Sequence, residues 1–462
     1  MAKRYNILLP LISCLTAGFL LFAAGCAKHE TQQQDIQPIP GLTQEKELLP
    51  ISEPWWKDFA DPELNKLIDQ ALQDNFSLQA AHERLEASGH ALTRERAELY
   101  PELDSEAAFS WRDDDVGSNT MRDRDTINFS YDVTASYEVD LWGRIAAEAD
   151  AYGYEYQATK AELQTAGVTL AANVAQAWYE ILEARKQKKL QQEQLQAEQE
   201  LLSLLQTRFS QGQIRLAEVQ QQKRKVAAAR SNSAQTAARL KTLKHELAVL
   251  LGEEPGQIND LQQKDLPEPS APPDHLQMAF IQQRPDVRSA FFEIKEQDSQ
   301  VARAIAERYP RMNLSLSGMT QSDNLPDLFS SWAGQFTAGI AGPLLDAGRR
   351  QAEVDRHQAI KSQKIYDYGQ VVLTALQEAQ DALALEKARR ERLQNYNQEY
   401  QLARESHQQA LARYQHGSIN YSEVIAEQLQ MLQAKQNLVT TRQELITSRI
   451  ELYRTLSGGW EV

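Results

Sequence analysis

The stretch from Ile127 to Leu141 reads INFSYDVTASYEVDL, and its pattern decides how the rest of the chain is interpreted. Its odd-numbered positions are apolar or small, and its even-numbered positions are polar. Strict alternation is typical of a β-strand with one apolar and one polar face. The stretch is longer than the roughly 9–11 residues that a tilted strand needs to cross a bilayer. It therefore predicts either a membrane strand whose charged side chains face water or a long edge strand of a soluble sandwich.

The first 25 residues are typical of a secretory signal peptide. Lys3 and Arg4 precede an apolar run over 7–22, and a short Ala-Ala-Gly sequence follows that run. Such a segment is too short and wrongly flanked for a membrane-spanning helix. The AAGC ending resembles the lipobox of bacterial lipoproteins, so we predict a signal peptide over 1–25 and lipidation of Cys26. An ordinary signal peptide with an incidental cysteine is the alternative.

Charge and hydropathy exclude several classes of protein. The formal net charge is −15 at pH 7, which argues against nucleic acid as a partner. After residue 25 no segment has enough consecutive apolar residues for a transmembrane helix. If the chain crosses a membrane, it must do so as a β-barrel, because lipid leaves unpaired backbone groups unsatisfied.

Helix signals dominate the chain on both sides of the opening strand. We predict an extended, lipidated N-terminal tether over 26–60, where Gln and Pro are frequent and no periodicity is found. Asp61-Pro62-Glu63 supplies an N-cap, a proline and an acidic residue for a helix that we expect to run towards Leu99. Strong helix formers over 144–210 predict a helix about 100 Å long at 1.5 Å per residue. A compact soluble domain of this size has no room for such a helix.

The organisation of the chain repeats after a proline-rich linker predicted at 253–273. RFSQGQI at 208–214 is answered by RYQHGSI at 413–419, which lies 205 positions further on. We therefore predict a first structural repeat over 61–252 and a second over 274–462. Each repeat contains a helix, two strands, a long helix, a turn and a helix.

Four amphipathic strands follow from this duplication. We predict them at about 102–112, 127–141, 311–321 and 332–344. Gly143 and Gly348 lie where a strand becomes a helix, at a backbone bend that glycine tolerates best.

Four strands cannot close into a barrel, and an open sheet in lipid leaves backbone groups that cost several kcal/mol each. The smallest membrane barrels have about eight strands. Closure needs several chains, and three chains would give twelve strands. The predicted fold is mainly α with membrane β: a duplicated unit of long helices with four strands per chain, in which the helices continue the barrel wall as a tube on one side of the membrane.

Several motifs carry a resemblance to a known family. They are FADPEL at 59–64, YEVDLWGR at 137–144, RPDVR at 284–288 and the paired R-[FY]-x-x-G turns. The chain resembles outer-membrane efflux proteins of the TolC family, in the lipoprotein branch with OprM- and NodT-like members. The resemblance covers nearly the whole mature chain and implies a homotrimer in the bacterial outer membrane. It implies that four strands per chain trimerise into a twelve-stranded β-barrel and that the long helices form a periplasmic α-barrel. It also implies an exit duct for an inner-membrane pump, of the RND type, reached through a periplasmic adaptor.

No catalytic motif is found. The sequence lacks a phosphate-cradling glycine loop, an HExxH motif and a cysteine pair. Its eight histidines show no ligand spacing. We predict no enzyme activity, no cofactor and no metal site.

A duct needs a gate, and the resemblance implies that acidic rings narrow its periplasmic entrance. An ungapped match places Ala426 at one such acidic position, with Glu423 and Glu427 beside it and Tyr414 in the preceding turn. We predict a periplasmic gate at these residues. Solvated helix surface is the alternative for both glutamates.

The two glycine turns are the predicted docking surface for the adaptor or the pump. Their residues are Gly212, Gln213, Ile214, Gly417, Ser418 and Ile419.

Three classes of function remain open at this point. The first is an exit duct for small molecules such as drugs, or alternatively for metal ions or secreted protein. The second is a passive porin-like channel, which does not explain the two glycine turns at the ends of the long helices, away from the membrane strands. The third is a structural lipoprotein, which does not explain the amphipathic strands.

The lipobox-like ending generates the first testable prediction. Mass spectrometry of the mature N-terminus should show a diacylglyceryl-modified Cys26. A free, unmodified cysteine at that position would show that the lipobox interpretation is wrong.

Overall fold

A computed structural model describes residues 55–112, 126–258, 265–269 and 278–456. Cys26 and most of the predicted tether lie outside these ranges. The helices are α1 (Pro62–Asp74), α2 (Phe76–Ala97), α3 (Arg144–Ser210), α4 (Leu216–Leu250), α5 (Met278–Gln283), α6 (Pro285–Ala306), α7 (Arg349–Gln415) and α8 (Tyr421–Leu456). The strands are β1 (Glu102–Arg112), β2 (Thr126–Val139), β3 (Arg311–Ser322) and β4 (Ala333–Ala341). The chain is mostly helical with one four-stranded sheet, which confirms the helix and strand content of the predicted fold class. Among the described helices, none combines the length and the apolar composition needed to cross a membrane.

The single helix expected from Asp61 towards Leu99 is wrong, because the chain breaks at Asn75. The Asn75 side-chain oxygen accepts hydrogen bonds from the backbone N–H groups of Ser77, at 3.0 Å, and Leu78, at 3.1 Å. Its amide nitrogen donates to the Leu250 carbonyl at 3.0 Å. Asn75 therefore caps α2 and ties the break to the end of α4.

The described end of the predicted tether is not extended. Residues Trp55–Phe59 form a 3-10 helix in which Trp55, Trp56 and Phe59 are buried. Trp55 stacks on Tyr453 of α8, with 5.7 Å between ring centroids. Aromatic burial of this kind holds the segment against the helices, and Gln/Pro composition alone did not reveal it.

The described residues divide into two compact units, and each unit draws on both sequence repeats. The sheet unit contains Glu86–Thr159 and Ala290–Asp367. The helical unit contains the described parts of Pro38–Leu85, Lys160–Ser289 and Tyr368–Val462.

In the sheet unit the strands are antiparallel in the order β1-β2-β3-β4. Directly opposed residues of antiparallel strands share a face. Phe109 opposes Phe129 and Leu316 opposes Phe336, so most of the apolar positions of the four strands fall on one face, with Met319 on the other. The ring centroids of Phe109 and Phe129 lie 5.1 Å apart. The register therefore extends the alternation of β2 across the whole sheet.

The opposite face of the sheet is polar and acidic along β1 and β2. Glu102, Asp104 and Glu106 of β1 share this face with Asp132 and Glu138 of β2. Glu106 lies directly opposite Asp132, and opposed like charges destabilise a sheet unless water screens them. This face therefore belongs against water.

The core of the helical unit is organised around Asp61 of the FADPEL sequence. Asp61 is buried, and its Oδ2 accepts a hydrogen bond from the Trp178 indole at 3.0 Å. Its Oδ1 accepts from the Glu63 backbone N–H at 3.2 Å. Burial, together with the nearby Asp61 carboxylate, raises the pKa of Tyr179. One carboxylate therefore caps α1 and fixes a core tryptophan of α3.

Helix α8 packs on more than one side through three stripes of residues, each of which recurs every seven positions in the sequence. Leu445, Ile446 and Ser448 represent the three stripes, and all three are buried. Leu445 packs with Leu393 of α7, whereas Ile446 joins the core around Trp178. Small residues in the third stripe allow close approach between neighbouring helices.

A buried charge cluster ties α7 to α8. Glu386 is fully buried and accepts two hydrogen bonds from Arg449, with Nε 3.0 Å from Oε2. Arg390 lies 3.2 Å from the same carboxylate. Arg449 also covers the ring of Tyr453, whose hydroxyl donates to Asp58 at 2.8 Å. The cluster therefore links both helices to the N-terminal 3-10 helix.

Glu386→Gln should lower the free energy of unfolding by about 3–5 kcal/mol, because it leaves the buried Arg449 without its carboxylate. Glu391→Gln is the matched control, since Glu391 is exposed on the same helix and should change stability by less than about 0.5 kcal/mol. Denaturant titration of the detergent-solubilised protein, followed by circular dichroism, measures both. Equal stability of the two variants would contradict the importance assigned to the cluster.

Candidate gate and docking turns

The two glycine turns have the same backbone construction. Gly212 and Gly417 have φ angles of +72° and +74°. The Gln213 N–H donates to the Arg208 carbonyl at 3.0 Å, and the Ser418 N–H donates to the Arg413 carbonyl at 2.9 Å. Both turns are therefore Schellman motifs, in which a left-handed glycine satisfies the last carbonyls of a long helix. This shared helix-terminating motif explains why the sequence at 208–214 is repeated at 413–419.

The helix that follows each turn begins with a glutamate cap. The carboxylate of Glu218 accepts from the Arg215 backbone N–H at 3.4 Å, and that of Glu423 accepts from the Asn420 N–H at 3.2 Å. Glu423 was predicted as a gate residue. The structure gives it a capping contact, and Glu218 makes the equivalent contact 205 positions earlier.

Side chains link the two turns within the helical unit. Arg208 Nη2 donates to Asn420 Oδ1 at 2.9 Å, which joins the end of α3 to the start of α8. Tyr414 contacts Tyr421 with ring centroids 5.2 Å apart. The turns α3–α4 and α7–α8 are therefore neighbours, held by one hydrogen bond between them and by an aromatic contact across the second turn.

The predicted gate residues differ in exposure. Tyr414, Glu423 and Ala426 are exposed, whereas Glu427 is half-buried. Glu423 and Glu427 are one helical turn apart and therefore share a face of α8. Of the predicted docking residues, Ile214 and Ile419 are half-buried and the other four are exposed. Each turn thus presents a polar, solvent-accessible tip with one partly shielded isoleucine.

The sequence analysis did not identify a polar cluster in the middle of the long helices. Glu183 of α3 is buried, lies 3.3 Å from Arg239 of α4 and accepts from Thr440 of α8 at 3.2 Å. Burial raises the pKa of Glu183, and the Arg239 guanidinium opposes that shift. No motif marks these residues, because each lies in an ordinary polar helix face and only packing brings them together.

The strand-to-helix bends at Gly143 and Gly348 have φ angles of +72° and +84°. A Cβ at either position would meet no heavy atom within 4 Å. Glycine is therefore required by the left-handed dihedral angle and not by crowding. Beside the first bend, Asp140 Oδ2 accepts from the Ala146 N–H at 2.8 Å and caps α3.

The RPDVR sequence is a structural clamp in the helical unit. Arg284 pairs with Asp286 through Nε–Oδ1 and Nη2–Oδ2 distances of 3.0 and 2.6 Å, and with Glu378 of α7 at 2.9 Å. Burial alone would raise the pKa of Asp286, but Arg284 holds it below its usual value. The motif therefore fixes the start of α6 against α7.

Within the described ranges, no group of three or more His, Cys, Asp or Glu side chains is placed to hold a metal ion.

A mostly helical chain with one amphipathic four-stranded sheet and two repeated helical turns has the fold of an outer-membrane channel protein. A family model described as outer membrane efflux protein matches residues 67–253 and 277–458. The chain belongs to this family. The TolC-family resemblance of the sequence is therefore confirmed.

Curated relatives cover almost the same length. The cation efflux system protein CusC of Escherichia coli O157:H7 is 25% identical over 453 residues, covering 96% of this chain and 97% of CusC. The pyoverdine export outer membrane protein OpmQ of Pseudomonas aeruginosa is 28% identical over 418 residues, covering 88% and 87%. The probable outer membrane lipoprotein SilC of Salmonella typhimurium is 22% identical over 410 residues, covering 88% of each chain.

Solved structures agree with this assignment. A crystal structure of CusC gives a TM-score of 0.77 at 25% identity, covering 90% of this chain and 99% of CusC. The outer membrane protein VceC of Vibrio cholerae gives 0.76 at 25% identity, covering 89% and 100%.

Family membership fixes the general role. Proteins of this family are efflux channels and not enzymes, so the chain is an efflux channel protein of the outer membrane. Channels of the family are homotrimers that work with a periplasmic adaptor and an inner-membrane pump.

Proposed function

We propose that this protein is the exit duct of a tripartite efflux system and that three copies close a twelve-stranded barrel in the outer membrane. The observation that carries the proposal is the register of the sheet. It collects the aromatic side chains and most of the aliphatic ones on one face and the acidic side chains on the other. In a membrane barrel the apolar face of the sheet contacts lipid and the acidic face contacts the water-filled lumen.

The edges of the sheet support closure by several chains. β1 and β4 are the edge strands, and every residue in them is exposed. In lipid the unpaired N–H and C=O groups of an edge cost several kcal/mol each. Pairing β4 of one chain with β1 of the next removes both edges, and three such pairings close a ring of twelve strands.

The two Schellman turns are the proposed docking surface for the periplasmic adaptor and for an inner-membrane pump of the RND type. Their tips combine exposed glycine and polar side chains with the half-buried Ile214 and Ile419. Exposed backbone and one shielded apolar side chain per turn suit a shallow contact between helical tips. The same turns favour a duct with pump partners over a passive porin.

We propose that lipidation of Cys26 anchors the chain. The AAGC ending supports this, and the relative SilC carries the name of a lipoprotein.

The proposed cargo is small organic molecules such as drugs. Export of metal cations is the second candidate, because CusC, a cation efflux protein, matches over 96% of this chain. Deleting the gene in its native host and measuring minimal inhibitory concentrations separates the two. Drug export predicts at least fourfold lower values for a set of apolar drugs and unchanged values for salts of transition-metal cations. The reverse pattern would assign the duct to cations.

The gate is proposed at the start of α8, where threefold symmetry would gather Glu423 and Glu427 into rings of carboxylates. Such rings attract cations. Replacing both residues by Gln should therefore weaken the cation preference of single channels in planar bilayers.

Glu218→Gln is the matched control for the gate, because it removes the equivalent helix cap without removing Glu423 or Glu427. It should leave ion selectivity unchanged. If the double Gln variant keeps the wild-type selectivity, or if Glu218→Gln shifts it equally, Glu423 acts as a helix cap only, Glu427 is a surface residue, and the gate lies elsewhere, for example at Tyr414.

A further inference from the structure

A polar cavity of about 360 Å³ lies in the sheet unit, where α6 ends and both β3 and α7 begin. None of the motifs discussed above accounts for it. Its lining residues are Ala304, Glu307, Arg311, Arg349, Arg350 and Glu353.

The three arginines around this cavity lack full compensation among the described residues. The side chains of Arg311 and Arg349 make no hydrogen bond or ion pair there. Arg350 approaches Asp346 only at 3.9 Å, and its Nη1 is buried without a hydrogen-bond partner. Arg311 and Arg349 are exposed to water, whereas the partly buried Arg350 keeps one nitrogen without a partner among the described residues. In a chain with a net charge of −15, three guanidinium groups at one cavity form a local concentration of positive charge.

The two carboxylates in the lining are already engaged elsewhere. Glu307 pairs with Arg303 at 3.3 Å, and Glu353 pairs with Arg356 at 2.6 Å. They therefore compensate charges outside the lining set, and the cavity keeps an excess of positive charge.

The start of α7 adds to this positive potential. Arg349 is the first residue of this 67-residue helix. Asp346 already accepts from the N–H groups of Gly348 and Arg349 there, and the N–H groups of the next residues in the first turn favour anions. Guanidinium groups match the oxygens of phosphate in a bidentate geometry and bind them through strong charge-assisted hydrogen bonds. Cavity, helix start and arginines therefore favour the same class of ligand.

We propose that this cavity binds a phosphate group. All lining residues of the site belong to one chain. Only the position of the site relative to the outer membrane rests on the proposed function. At the same end of the sheet, Trp142 stacks on Tyr309 with 4.7 Å between ring centroids and donates to the Pro310 carbonyl at 2.7 Å. Such aromatic pairs mark a lipid–water boundary. The phosphate therefore comes either from a phospholipid headgroup at that boundary or from a phosphate-bearing solute.

The test compares full-length wild-type protein with the triple variant Arg311→Gln, Arg349→Gln and Arg350→Gln, both in an uncharged detergent. Titration calorimetry with inorganic phosphate should show binding that is at least about tenfold weaker in the triple variant. The control replaces Arg224, Arg230 and Arg404 by Gln, because these exposed arginines lie outside the sheet unit and change the net charge equally. The control should bind phosphate like the wild type.

Phosphorus analysis of the purified proteins distinguishes the two sources. About one phospholipid per chain in the wild type, lost in the triple variant, identifies a lipid headgroup; phosphate binding without bound lipid identifies a solute. If the triple variant fails to fold, as judged by circular dichroism, the exposed single variant Arg349→Gln takes its place and should bind several-fold more weakly. Light scattering on the same samples reports the trimer separately, so failure of the phosphate site and failure of the proposed barrel are distinguishable.

Absence of both phosphate and lipid binding in the wild type would overturn the proposal. The proposal would also be overturned if the triple variant bound phosphate as tightly as the wild type. The same holds if the control lost as much phosphate affinity as the triple variant.

Discussion

The sheet of this protein depends on one constraint: backbone N–H and C=O groups in lipid must find partners in protein. The strands β2 and β3 satisfy each other and their neighbours, whereas β1 and β4 each keep one unpaired edge in the single chain. Because lipid offers no hydrogen bonds, the sheet is incomplete until other copies cover those edges. The two-faced register and the exposed edges are thus two consequences of the same environment, and the trimeric channels of the family satisfy both.

Much of this architecture is encoded at the level of single residues. Alternation in β2 is enough to predict its strand, since side chains reverse direction at every residue. The glycines of the two turns are equally informative, because a left-handed residue that ends a long helix is usually glycine. The 205-residue offset then transfers each local inference to the other half of the chain. Such features are predictable because they are local in sequence.

Other features are not local and were missed or misjudged. Asn75 looks like an ordinary polar helix residue, yet its contact with Leu250 helps to end one helix and begin the next. The contacts of Glu183 and Glu386 join helices that are distant in sequence, so no spacing reveals them. Glu423 shows the opposite problem, since an acidic residue expected at a gate also has a local capping role. The same residue type serves both purposes, and only a comparison with Glu218 separates them.

Backbone amide hydrogen exchange of the assembled protein in the membrane tests the central claim most directly, because it reports whether strand edges are paired. If β4 of one chain pairs with β1 of the next, amides of β1 and β4 should be protected to the same degree as those of β2 and β3. Rapid exchange confined to alternate residues of β1 and β4 would show open edges and would contradict a closed barrel.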